Sequence, residues 1–231
     1  MSEAQKRAAG VAAADLVEAG MTVGLGTGTT AAHFVRALAA RKLDVTGVAT
    51  SEATAALARS LGLRVADLDE VEEIQLTVDG ADEIGPDLSL IKGGGAALLR
   101  EKLVWTASKR CVVIADASKR VDRLGAFPLP IEVVVFGHTD TAQRIAAVLA
   151  EQGIAVRPRL RLGALTLKGD IPVRTDSGNL IYDAPCGAIG HPAALAAALK
   201  SVTGVVDHGL FLGLAERALI GTDAGVATIL P

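Results

Sequence analysis

Short apolar runs alternate along this chain with longer segments whose apolar residues recur every three or four positions. The short runs read as buried strands: MTVGLG from residue 21, DVTGVAT from 44, LRVADL from 63, the middle of EEIQLTVDGAD from 72, and RCVVIADAS from 110. Between them the period lengthens to that of helices. The first covers residues 3–19 and stops at Gly20; TTAAHFVRALAARK, SEATAALARSLG and GAALLREKLVWTAS follow. Strands alternating with helices of this length predict βαβ units, and hence a doubly wound, mostly parallel α/β sheet of Rossmann-like type. Ligands of such sheets bind outside the carboxyl ends of the strands. Those ends here read GTGTT, TSEAT, DGAD and ADASK, a collection of small, polar and charged residues.

The pattern changes at LGAFPLP, where Pro128 and Pro130 mark a boundary. A strand IEVVVF, a helix TDTAQRIAAVLAEQG, the strands AVRPRL, ALTLKG and PVRTDSGNLIYDA, and a helix HPAALAAALKSV follow. The Asp-Ser-Gly-Asn cluster reads as a turn joining two strands. This order predicts a smaller α+β unit, ferredoxin-like, inserted into the larger one. The expected division is residues 1–126 plus 204–231 for the Rossmann-like domain and 127–203 for the smaller one. The last stretch returns to buried strands, with a turn at GTDAG.

Composition narrows the picture. Half of the 231 residues are hydrophobic but only 3 % are aromatic, so the core is built from Ala, Val, Leu and Ile, as suits parallel strands under Ala-rich helices. The net charge is −3 and no basic stretch resembles a nucleic-acid footprint, which argues against DNA or RNA as partner. Cys111 and Cys186 stand far apart without CxxC or His-rich surroundings and read as reduced thiols. The N-terminus lacks an apolar signal core and no uncharged apolar run is long enough for a membrane span, so the expectation is a cytoplasmic protein without a membrane partner.

The chemistry lies in the glycine loops. In VGLGTGTTAAHF the glycines are Gly24, Gly26 and Gly28, whereas a dinucleotide fingerprint needs the third where Thr29 stands, and the next strand does not end in an acid. A nucleotide P-loop fails because no lysine follows Gly28. What remains is either a tight turn or a general anion cradle of backbone N–H groups and threonine hydroxyls, Thr27 to Thr30, at a helix N-terminus. A second loop, IKGGGAALLREK, favours the cradle. Lys92 precedes the glycines Gly93, Gly94 and Gly95, and Glu101 is in phase with Ala97 of the apolar AALL run, which turns it inward. TVDGADEI adds Asp79 and Asp82 at a strand's carboxyl end; a DxxD pair can hold Mg²⁺, but Lys92 and the lack of further clustered acids favour a metal-free site. His33, His138, His191 and His208 share no spacing and read as structural or surface residues.

GLGTGTTAAHF, VDGADEI, IKGGGAALLREK and ADASK, in this order and spacing, together resemble ribose-5-phosphate isomerase of the A type. GAFPLPIEV, TDSGN, GLF and ALIGT extend the resemblance through the whole chain. It implies interconversion of D-ribose 5-phosphate and D-ribulose 5-phosphate in the non-oxidative pentose phosphate pathway, without a cofactor, by a homodimer or a tetramer. It also implies that Glu101 is the base. Thr27, Gly28, Thr29 and Thr30, then Asp79, Gly80, Ala81 and Asp82, then Lys92 to Gly95, and Lys119 of ADASK, would bind substrate. Such a reaction moves a proton between adjacent carbons, for which one carboxylate suffices, and Lys92 and the glycine amides suit the enediolate charge. Asp79 or Asp82 would handle hydroxyl protons in ring opening. A sugar-phosphate sensor of a gene regulator is the alternative class, but no helix-turn-helix extension or basic patch supports it.

Overall fold

The computed structural model describes residues 2–166 and 169–231; Leu167 and Lys168, within the expected strand ALTLKG, lie outside them. The first half runs α1 (Glu3–Ala14), β1 (Thr22–Leu25), α2 (Thr29–Ala40), β2 (Thr46–Ala49), α3 (Glu52–Ser60), β3 (Arg64–Ala66), β4 (Leu76–Gly80), β5 (Glu83–Ile84), β6 (Leu90–Ile91), α4 (Leu98–Thr106) and β7 (Cys111–Asp116). The second runs β8 (Leu129–Val133), α5 (His138–Glu151), β9 (Arg159–Leu160), β10 (Leu162–Thr166), β11 (Gly169–Pro172), β12 (Leu180–Ala184), α6 (Pro192–Lys200), β13 (Val205–His208), β14 (Leu210–Phe211), β15 (Arg217–Thr222) and β16 (Gly225–Ile229).

The main sheet has the order β16-β15-β7-β4-β1-β2-β3. All neighbours are parallel except β16, which returns antiparallel on β15 after the GTDAG turn. Its strands are apolar on both faces because helices cover both. On one face Ala9 and Ala13 of α1 and Phe34, Val35 and Leu38 of α2 meet Val23, Leu25, Val78 and Ile114. On the other, Trp105 and Phe211 meet Val113, Ala115 and Ile220. From β1 the chain moves outward to β2 and β3, then returns to the other side of β1 as β4. That reversal opens a crevice between the carboxyl ends of β1 and β4.

The smaller sheet has the order β13-β8-β12-β9 and is antiparallel throughout. With α5 and α6 it follows the βαββαβ sequence of a ferredoxin-like unit. The expected boundary at residue 204 precedes β13, yet β13 hydrogen-bonds to β8, so this sheet extends to His208. A third sheet, β14-β6-β5, bridges the two units. The turn in TDSGN forms as expected, closed by the bridge between Arg174 and Leu180, and Asp176 there accepts the Glu52 N–H of α3 at 2.8 Å.

Two elements depart from the periodicity. The first helix ends at Ala14 rather than at residue 19: Leu16 and Val17 N–H bond three residues back to Ala13 and Ala14, a tightened turn that buries Val17 completely. The strand expected to reach Phe136 stops at Val133. Val134 N–H still meets Gly204 O at 3.0 Å, after which the chain leaves the sheet and Phe136 is 95 % exposed. β-branched composition alone therefore misplaces this end, because a strand also needs a neighbour.

Glu83 of β5 stitches the units together. It is buried, and its two carboxylate oxygens accept Gly125 N–H at 2.6 Å and Phe127 N–H. Glu83→Ala leaves both donors unmet and is expected to lower unfolding stability by about 2–4 kcal/mol, read as a reduced Tm; an unchanged Tm would show the stitch to be unimportant.

Candidate active site

Three loops meet over the crevice. The first joins β1 to α2. Gly26 N–H bonds Val78 O at 2.9 Å, drawing the loop onto β4 so closely that a Cβ at Gly26 would stand 2.2 Å from Asp79 Oδ1. Gly28 caps α2 with φ 109° and ψ 179°, a conformation open only to glycine. It leaves the first N–H groups of α2 free, with no acidic side chain in the first turn. Thr27 turns its hydroxyl away from the crevice into a cluster with Thr50 and Ser51, both at 2.8 Å.

The second loop follows β4. Asp79 is fully buried; its Oδ1 accepts Thr27 N–H at 3.0 Å and Gly80 N–H at 2.7 Å. Asp82 accepts Gly94 N–H at 2.8 Å and so ties this loop to the third. The third, between β6 and α4, carries Lys92 and the glycines. Ala96 lies in the left-handed region at φ 58°, so α4 begins only at Leu98, three residues later than the sequence pattern suggests. Glu101 N–H then bonds Ala97 O at 2.9 Å, and the inward phase expected for Glu101 is realised: the residue is 4 % exposed.

Lys92 is the centre of the electrostatics. Its ammonium is buried, 3.0 Å from Asp79 Oδ2 and 3.2 Å from Glu101 Oε1, and it donates to Gly80 O at 2.5 Å. The rings of Trp105 and Phe211 lie 5.6 and 5.5 Å away, within cation–π range. Burial pulls the lysine pKa down, but the Asp79 and Glu101 carboxylates outweigh it and hold the ammonium charged. Glu101 moves the other way. Burial and the Asp79 charge raise its carboxyl to about 8 in spite of Lys92. Its second oxygen, Oε2, has no hydrogen-bond partner among the described residues.

These groups open on a cleft of about 170 Å³ lined by Thr27, Gly28, Thr29, Thr30, Gly80, Ala81, Asp82, Lys92, Gly93, Gly94, Gly95, Glu101 and Lys119. Of the residues singled out from the sequence, only Asp79 is not on its wall; it lies beneath and braces two loops. Lys6 is on the wall and was missed. Its Nζ donates to Thr29 Oγ1 at 3.0 Å. The signal was available, since Lys6 shares a helix face with the buried Ala9, Gly10 and Ala13. None of the four histidines lines this cleft: His33 meets Glu3, His138 meets Tyr182, and His208 is neutral, lowered by burial and by Lys102 to about 4. Among the described residues no group of three His, Cys, Asp or Glu could hold a metal ion, and no helix is long and apolar enough to cross a membrane.

A Rossmann-like crevice that holds a buried carboxylate, an ammonium and a glycine-lined loop is the kind of site an α/β enzyme uses for proton transfer on a small anionic substrate. The family model for Ribose 5-phosphate isomerase A (phosphoriboisomerase A) matches residues 46–225. Ribose-5-phosphate isomerase A of Caulobacter sp. (strain K31) is 68 % identical over 227 residues, 98 % of each chain, and that of Parvibaculum lavamentivorans is 51 % identical over 97 % of each. The solved ribose 5 phosphate isomerase A of Neisseria gonorrhoeae superposes with a TM-score of 0.90 at 33 % identity, covering 100 % of this chain and 98 % of that one. A D-ribose-5-phosphate isomerase solved in complex with phospho-erythronic acid gives 0.90 at 35 %, covering 98 % and 97 %. The chain belongs to the ribose 5-phosphate isomerase A family and is an isomerase.

A carboxyl must be ionised to accept a proton, so if Glu101 acts as the base its raised pKa has a signed consequence. In that case kcat/KM, which reports the free enzyme, is expected to rise as pH climbs through the Glu101 value near 8 and to level off above it. A profile already flat from pH 5.5 upward would show an ordinary carboxylate instead.

Proposed function

We propose that the cleft interconverts D-ribose 5-phosphate and D-ribulose 5-phosphate through an enediolate, as a cytoplasmic enzyme of the non-oxidative pentose phosphate pathway. The observation that carries this reading is the buried Glu101 carboxylate, paired on one oxygen with Lys92 and unpartnered on the other. Its unpartnered oxygen takes the proton from C2 and returns it to C1. The neighbouring ammonium of Lys92 and the glycine N–H groups stand ready for the charge that develops on the sugar oxygens. Lys6, Lys119 and the N-terminus of α2 supply positive charge for the phosphate, whose binding fixes the reacting carbons against Glu101. Asp82, on the wall, suits the ring-opening proton transfer; Asp79, beneath it, holds Lys92 and the first two loops. Homo-oligomerisation as a dimer or a tetramer belongs to this reading and is measured by sedimentation.

Glu101→Gln keeps the shape and removes the base. Turnover of ribose 5-phosphate is expected to fall about 10²–10⁴-fold with KM and fold little changed. A variant that isomerises at the wild-type rate would refute the base assignment, and tight binding without turnover in the unaltered protein would favour a sensor. Lys6→Met is expected to act chiefly on KM, raising it by about tenfold, because the lost contact is made equally in substrate and transition state. If kcat alone falls, Lys6 is not a phosphate ligand.

A further inference from the structure

Arg161 follows β9 in the smaller unit, a stretch whose sequence carries no motif. Its side chain is 15 % exposed. Nε donates to Asp183 Oδ2 of β12 at 2.8 Å, and Nη2 donates to Oδ1 of the same carboxylate. The remaining nitrogen, Nη1, crosses to the glycine loop and donates to Gly93 O at 2.8 Å and to Gly94 O at 3.1 Å. The guanidinium fork thus has one face on its own sheet and one on the substrate cleft.

Three consecutive glycines give the loop the greatest backbone freedom a sequence can supply, so its peptide planes need an external anchor. A trans peptide carries its C=O and N–H on opposite sides. The Gly93 carbonyl shares its plane with Gly94 N–H, which is taken by Asp82. The Gly94 carbonyl shares its plane with Gly95 N–H. With that carbonyl drawn to Arg161, Gly95 N–H is turned away from it; Gly95 lines the cleft, and among the described residues no backbone or side-chain acceptor meets this N–H.

We propose that Arg161 is a positioning residue for the isomerisation: it locks the Gly93–Gly94 and Gly94–Gly95 peptide planes so that Gly95 N–H stands fixed as a donor to a substrate oxygen at the reacting end. The cation on the carbonyl side also polarises the peptide and strengthens that donor. The inference rests on the isomerase reading of the cleft, with its glycine loop at the C1–C2 end. Asp183 keeps the guanidinium in register by occupying its other two nitrogens.

Steady-state kinetics with ribose 5-phosphate, with and without millimolar guanidinium chloride, tests this in Arg161→Ala and Arg161→Lys. For Arg161→Ala the expectation is a fall in kcat of about 10–100-fold, with KM within about threefold of wild type and partial recovery by guanidinium ion. Arg161→Lys retains a charge for Asp183 but cannot hold that carboxylate and reach the two carbonyls at once, and loses kcat without loss of fold; it decides the matter if the alanine variant does not fold. Wild-type kcat in either folded variant overturns the proposal. So does a loss that guanidinium does not restore and that KM follows, which is the mark of a merely structural residue. Glu101→Gln is assayed beside them. Retained turnover there refutes the base assignment, while its loss beside active Arg161 variants refutes the arginine's role alone.

Discussion

The buried ammonium of Lys92 is the interaction on which the rest of the site depends. A lysine in a protein interior is tolerated only with its charge matched and its protons placed. Here two carboxylates, one carbonyl and two aromatic rings surround it. Its partners come from different layers of the fold: Asp79 from β4 of the main sheet, Glu101 and Trp105 from α4, Phe211 from β14. Lys92 itself follows β6, so it joins the main sheet, the bridging sheet and the helix that carries Glu101. Removing one partner of such a buried pair costs about 3–5 kcal/mol, because the other charge is left unmatched. In a chain that is only 3 % aromatic, the placing of Trp105 and Phe211 around this one charge also gives it a dry, unyielding wall.

The loops above it are each held by a residue that belongs to another. Asp79 of the second loop grips Thr27 N–H of the first, Asp82 grips Gly94 N–H of the third, and Arg161 of the smaller unit takes the Gly93 and Gly94 carbonyls. Glycine-rich loops are permissive by nature, and permissive backbone is a poor catalyst unless something fixes it before substrate arrives. The fixing is done by side chains whose own positions are settled by sheets. This explains why the smaller unit is joined so closely to a crevice formed by the larger one.

Much of this was legible in the chain itself. The alternation of strand and helix periods locates the sheet, and the glycine and aspartate clusters at strand ends locate the crevice, because both follow from local composition. Glu101 was readable from its phase with Ala97. The parts that were not readable depend on contacts distant in sequence. Arg161 has partners on β12 and in the glycine loop, and no local pattern announces either. The place of β13 in the smaller sheet is a matter of its neighbour β8, not of its own residues. Lys6 was overlooked for a different reason: a lysine in a helix of mixed charge reads as solvated, and only its register with Ala9, Gly10 and Ala13 betrays that it faces inward.

Charge balance in the pocket sets Glu101 apart from Asp79. Two carboxylates share one ammonium, so one negative charge is left over in a buried site. Asp79 accepts two backbone N–H bonds besides its contact with Lys92. Among the described residues the Glu101 carboxylate has Lys92 alone, and its other oxygen has no hydrogen-bond partner. Burial, and then the neighbouring Asp79 charge, raise the affinity of Glu101 for a proton. A carboxylate made this reluctant to stay ionised, yet tethered to an ammonium, is suited to take a carbon-bound proton and give it back. In the proposed reaction the lysine and the peptide donors it lies beside would hold the charge the proton leaves behind on the substrate.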